Sequence, residues 1–169
     1  MADEINPITG QEYYAGNVED VKDFLKVFHI KSSAGRGRLE TVTDLSDETV
    51  HRYMQRVEQM IDSYLSELYF VPIRPYKQVM PDGNTAEIFP GRLRRISQMW
   101  AATLIVQAEF ENLEPNVNEI AVTFLEQVRR ELYSLTLFTQ RIPGAVYRSN
   151  WSKTLSPNMQ PPLPIPESF

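Results

Sequence analysis

The stretch that decides the fold runs from residue 45 to residue 72, LSDETVHRYMQRVEQMIDSYLSELYFVP. Ser46 stands where a hydroxyl can accept one of the free amides of a first helical turn. Asp47 and Glu48 then place negative charge at the positive end of the helix dipole. Behind this start Val50, Met54, Val57, Ile61, Tyr64, Leu65 and Leu68 follow at steps of three and four. That spacing makes one face apolar for about 22 residues, roughly 33 Å of helix. Pro72 and Pro75 end it, because the ring removes an amide donor and pushes the preceding residue into extended backbone.

Working outward, the turn signal Pro81-Asp82-Gly83-Asn84 sits between half-apolar arms and predicts a small β-hairpin or finger-like loop inserted at 73–90. Pro90 suits the start of a helix over 91–113. There Leu93, Ile96, Met99, Trp100, Ala101, Leu104, Ile105, Val106, Ala108 and Phe110 cover almost the whole wheel. Such a helix must be covered nearly all round, either as the centre of its own domain or against another copy of the chain. A break at Pro115 and Asn116 precedes a last helix over 117–137, with Val117, Ile120, Ala121, Phe124, Val128, Leu132 and Leu135 on one stripe. Upstream, Asn17 caps a short helix over 18–28 carrying Val21, Phe24, Leu25 and Phe28. The expected fold is therefore mainly α, a three- to four-helix bundle over 18–138 with a small β-hairpin insertion.

The two ends lack helical period. Residues 1–17 read as an N-terminal arm. Residues 139–169 hold six of the twelve prolines, interleaved with Ile142, Val146, Tyr147, Trp151, Leu155, Leu163, Ile165 and Phe169. Proline forbids helix interiors and ladders, while the apolar content exceeds that of an indifferent linker, so this segment reads as an extended arm that lies along another protein. At ~3.1 Å per residue it reaches about 95 Å.

Composition narrows the chemistry. Cysteine is absent, which removes disulfides, thiolate metal sites and cysteine nucleophiles. The two histidines, His29 and His51, have no acidic or histidine partner at a metal-ligand spacing. Gly35-Arg36-Gly37 lacks the strand-to-helix setting of a phosphate cradle. These readings point to no enzyme, no metal and no cofactor. A net charge of −5 over 169 residues argues against broad wrapping of nucleic acid. No leader and no run of ~20 apolar residues is present, which favours a cytoplasmic site of synthesis and no membrane partner.

Two basic patches remain: the loop with Arg36 and Arg38, and the helix start with Arg92, Arg94 and Arg95, where positive charge opposes the dipole. Each reads either as solvent and salt-bridge chemistry, with Glu126 or Glu131 as partners across a subunit seam, or as a local contact with DNA. Asp62, a lone carboxylate, reads as a structural partner for an arginine or a backbone amide.

The order of these features resembles the head-to-tail connector, or head-completion, family of tailed bacteriophages. The likeness rests on Arg38-Leu-Glu-Thr-Val-Thr-Asp44, the signature Ile61, Asp62, Tyr64 and Leu65, and the exit Tyr69 to Pro72, and it extends over residues 18–137. The resemblance implies a virion protein made in the host cytoplasm. It implies a ring, usually a dodecamer, docked under the portal protein, lining the genome-exit channel used in genome ejection and receiving a downstream neck or tail protein. By the same analogy Tyr147, Trp151, Leu155, Leu163, Ile165 and Phe169 are expected at the portal or a neighbouring subunit. Met80, Asp82 and Asn84 at the hairpin tip are expected at the downstream partner. The second reading is a helical DNA-binding regulator or packaging accessory protein built on the two basic patches, although the long Pro72–Pro90 interruption does not fit a helix-turn-helix.

Overall fold

A computed structural model describes residues 5–26, 28, 45–109, 115–137 and 141–148. In these the chain forms α1 (Val18–Lys26), α2 (Asp47–Leu65), β1 (Tyr76–Val79), β2 (Thr85–Ile88), α3 (Gly91–Glu109) and α4 (Pro115–Thr136). The architecture is mainly helical with one small antiparallel hairpin, as the periodicities predict.

Local chemistry explains the helix starts. Ser46 holds extended backbone and its Oγ accepts the Thr49 amide at 3.2 Å, and Asn17 Oδ1 accepts the Asp20 amide at 2.9 Å. Each satisfies a donor that the first turn leaves free. Helix α2 stops a turn before the predicted end: the Ser66, Leu68 and Tyr69 amides close onto Asp62 and Leu65 carbonyls as a tight turn, ahead of a cis Val71–Pro72 peptide. Helix α4 begins at Pro115 rather than after it, since proline at the first helical position forfeits only an amide that has no intrahelical partner.

Helix α3 is the centre of the domain, packed by α1, α2 and α4. Leu93, Ile96, Ala101, Ala102, Ile105 and Val106 have essentially no exposed surface. The small side chains at 101 and 102 permit close approach of neighbours. Two buried hydroxyls on this helix, Ser97 and Thr103, donate to the Leu93 and Met99 carbonyls at 2.9 and 2.8 Å, so neither is orphaned. The cover that the sequence left open, own domain or second copy, thus comes from the chain itself. Of the apolar residues that the sequence places on this helix, Leu104 stays half-buried and Ala108 exposed, and Phe110 lies outside the described residues.

The hairpin pairs Tyr76 with Ile88 and Val79 with Thr85. Its tip closes through Met80 N–H to Asn84 O at 2.8 Å, with Gly83 at φ +83°.

Both ends of the domain differ from the sequence reading. The supposed N-terminal arm puts Tyr13, Tyr14 and Ala15 into the core. Residues 141–148, expected to start the C-terminal arm, pack on the domain, with Ile142 buried. Neither segment has a period because each is held by a few long-range contacts, not by a regular face. The Lys31–Arg38 loop, with Arg36 and Arg38, and the segment carrying Trp151, Leu155, Leu163, Ile165 and Phe169 lie outside the described residues.

Candidate interaction site

The signature residues of α2 divide into packing and polar roles. Ile61 and Leu65 are wholly buried. Asp62, one turn on from the buried Glu58, accepts a hydrogen bond from the Tyr14 hydroxyl at 2.5 Å, and the same hydroxyl oxygen accepts the Ile73 amide at 2.6 Å. No arginine pairs with Asp62 among the described contacts; a phenol from the N-terminal segment takes that place. Burial raises the Asp62 carboxyl above its ordinary range, and the Tyr14 bond opposes the rise. For Tyr14, burial and then the Asp62 charge raise the phenol far above its ordinary value, so it stays a donor.

Tyr69 lies at the exit from α2. Its hydroxyl bonds the Leu135 carbonyl at 2.9 Å and sits 3.0 Å from the Tyr147 hydroxyl, with the two rings 4.6 Å apart. Around this pair residues 141–148 form a strap. The Phe70 amide donates to Val146 O at 2.8 Å and the Arg148 amide to Leu68 O at 3.1 Å, giving an antiparallel bridge between Tyr69 and Tyr147. The strap also closes on the hairpin base: Gly144, at φ +75°, lies so near Tyr76 that an added Cβ would stand 2.4 Å from the Tyr76 Cβ.

Tyr147, expected at a portal or subunit contact, is therefore engaged inside its own chain. The apolar groups that this strap leaves outward are Val146 and, beside it, Phe70, 63% and 54% exposed. Sequence reasoning missed Phe70, because a single aromatic just past a helix end carries no periodic signal.

Of the hairpin residues singled out, Met80, Asp82 and Asn84 are all exposed. Asp82 takes both the Asn84 amide, at 3.1 Å, and its side-chain nitrogen, at 2.9 Å; these bonds hold the carboxyl below its usual range and stiffen the tip. Val79, 69% exposed, adds an apolar side chain there.

The arginine cluster is not a uniform patch. Arg92 reaches α4, with Nε 3.5 Å from Glu131 Oε2 and Nη2 2.5 Å from Ser134 Oγ. Arg94 pairs with Glu12 and lies over the Phe89 ring. Arg95 is exposed. The Glu131 pairing expected across a seam is thus made within one chain, and Glu126 pairs with Arg130 on its own helix. The unfavourable positive charge at the start of α3 is offset by carboxylates from the N-terminal segment and α4.

Among the described residues no group of three or more His, Asp or Glu side chains is placed to hold a metal ion. His51 stacks on Tyr13. No described helix is long and apolar enough to cross a membrane. No family model, no curated protein and no solved structure matches this chain.

Proposed function

We propose that this chain is a structural adaptor of a bacteriophage neck, a ring subunit that joins the capsid portal to the tail or next neck protein and lines the genome-exit channel. One observation carries the reading. The helical core is complete within a single chain, while the apolar side chains near the hairpin and strap, Val79, Met80, Phe70 and Val146, stand outward on elements closed by backbone hydrogen bonds. Exposed apolar groups on such supports suit docking, because little ordering remains to be done when a partner arrives. The apolar, proline-rich sequence beyond Arg148 supplies a second attachment.

In a ring each subunit uses one surface toward its left neighbour and a different one toward its right, and closure leaves no free edge. Many copies acting together make a modest affinity per contact sufficient for a firm joint. The alternative of a DNA-binding regulator draws less support, since Arg92 and Arg94 are already held by carboxylates.

The test is electron microscopy and native mass spectrometry of the chain alone and with purified portal protein. The expected outcome is a monomer alone and a ring on the portal, with binding lost for a chain ending at Arg148 and for the Phe70→Asp, Val79→Asp pair. Absence of any complex between full-length chain and portal overturns the proposal.

A further inference from the structure

The loop formed by residues 5–12 lies over one face of α2 and covers a carboxylate. Glu58 is only 2% exposed, and Asn6, which sits on it, is equally buried. The Asn6 side-chain nitrogen donates to Glu58 Oε2 at 2.9 Å, while Glu58 Oε1 has no hydrogen-bond partner. Asn6 is also the hub of its loop. Its Oδ1 accepts the Ile8 amide at 2.9 Å and the Gln55 amide group at 3.5 Å, its backbone N–H donates to Gln11 O at 2.7 Å, and its carbonyl accepts the Gly10 amide at 2.8 Å. Asn6, through Glu58 and Gln55, ties the loop to α2, and Glu12, through Arg94, ties its far end to α3.

Burial and a neighbouring carboxylate favour the neutral form of Glu58 and outweigh the single donor that reaches it. On its own helix the next carboxylate, Asp62, lies one turn away. From the N-terminal segment come the Asn6 amide, which gives Glu58 one hydrogen bond, and the Tyr14 phenol, whose hydrogen goes to Asp62. The cation that α3 sends to this segment, Arg94, is engaged by Glu12, and His51 of α2 is stacked on Tyr13. An ionised carboxylate in such a place lacks the several donors it needs, whereas a neutral one needs far less. Burial, then the Asp62 charge, push the Glu58 carboxyl up from 4.5 to about 7, against the one Asn6 bond that lowers it.

We propose that residues 5–12 are a proton-controlled latch on α2: seated while Glu58 is neutral, and lifted when Glu58 ionises, with the four-helix domain remaining folded. Release uncovers the Glu58 and Gln55 face of α2 and frees Ile5 and Ile8, already 59% and 67% exposed, to move with the loop. Tyr13 and Tyr14, part of the hydrophobic core, stay in place and act as the hinge end. The device stands independently of what the domain docks to.

Hydrogen exchange of the full chain, followed by mass spectrometry from pH 5.5 to 8.5 and normalised to the intrinsic rate at each pH, tests it. The amides of Asn6, Ile8 and Gly10 are the reporters. Their protection is expected to fall about tenfold or more across pH 6 to 8, while α3 peptides change less than about twofold. Glu58→Gln is expected to keep the loop protected throughout, and Asn6→Ala to leave it unprotected at every pH with α3 intact. Loop protection that does not vary with pH in the natural sequence overturns the latch, as does an unchanged pH dependence in Glu58→Gln. If Glu58→Gln does not fold, Asn6→Ala decides: wild-type protection in that variant also overturns the proposal.

Discussion

The Tyr14 hydroxyl donates to Asp62 at 2.5 Å while taking the Ile73 amide at 2.6 Å, so one phenol joins the N-terminal segment, the long helix and the start of the hairpin insertion. Tyr14 itself is 1% exposed. Removing its oxygen leaves a buried amide and a half-buried carboxylate without their partner. Tyr14→Phe is expected to cost about 2–3 kcal/mol and Asp62→Ala about 1–3 kcal/mol. The double variant should cost less than the sum, since both changes break one bond. Urea unfolding of the four proteins measures this, and strict additivity would contradict the linkage.

Stability should depend on pH through Glu58. Its folded value lies above 4.5, at about 7, so the folded chain binds this proton more tightly than the unfolded chain does. The stabilising contribution is full below about pH 4.5 and is lost as pH rises through about 7; the difference corresponds to at most about 3 kcal/mol. Asp62, also raised, adds in the same direction. Urea midpoints between pH 5 and 8.5 should fall for the natural chain and flatten for Glu58→Gln.

The strap predicts a contrast between two truncations. A chain ending at residue 140 loses Ile142 and Tyr147 and uncovers Tyr69, and about 3–5 kcal/mol of stability should go with them. A chain ending at Arg148 keeps these contacts and should melt with the full-length protein. Gly144→Ala, which sets a Cβ against Tyr76 at a positive φ, is expected to cost about 1–3 kcal/mol. Gly83→Ala, with open space around it, should cost only the backbone strain, about 1 kcal/mol.

Position on α3 separates surface charge from core. The Arg92 pair is half exposed on its arginine side, and Arg92→Ala should lower stability by less than about 1 kcal/mol. Leu93, its neighbour in sequence, has no exposed surface, and Leu93→Ala should cost about 2–5 kcal/mol. Ala102→Leu tests the central place of this helix, because added methylenes between close-packed helices should cost about 1–3 kcal/mol or more. Thermal melts of the three variants give the order directly.

Much of the architecture was legible in the residues. The Ser46 and Asn17 caps, the apolar stripes of α2 and, from Ile120 onward, of α4, and the Pro81–Asn84 turn depend on neighbours a few positions apart, and each appears where expected. The hairpin tip with Met80, Asp82 and Asn84 was legible for the same reason. The arginine cluster was legible as a cluster but not in its pairing. Whether Arg92 faces Glu131 of its own chain or of another is settled only when α3 and α4 pack.

The sequence by itself determined which segments are helical, where α1, α2 and α3 start, which faces are apolar and where the chain must turn, because caps, periodicity and proline act over one or two turns; the helix ends and the start of α4 it placed only to within about a turn. Only the tertiary structure decided that α3 is enclosed by its own chain, that Tyr14 rather than an arginine serves Asp62, that Asn6 covers Glu58, and that Tyr147 turns back onto Tyr69. Those side-chain partners stand 48, 52 and 78 positions apart. A buried polar group is stable only with a partner delivered to it, and neither the identity nor the approach of that partner leaves a local mark on the chain.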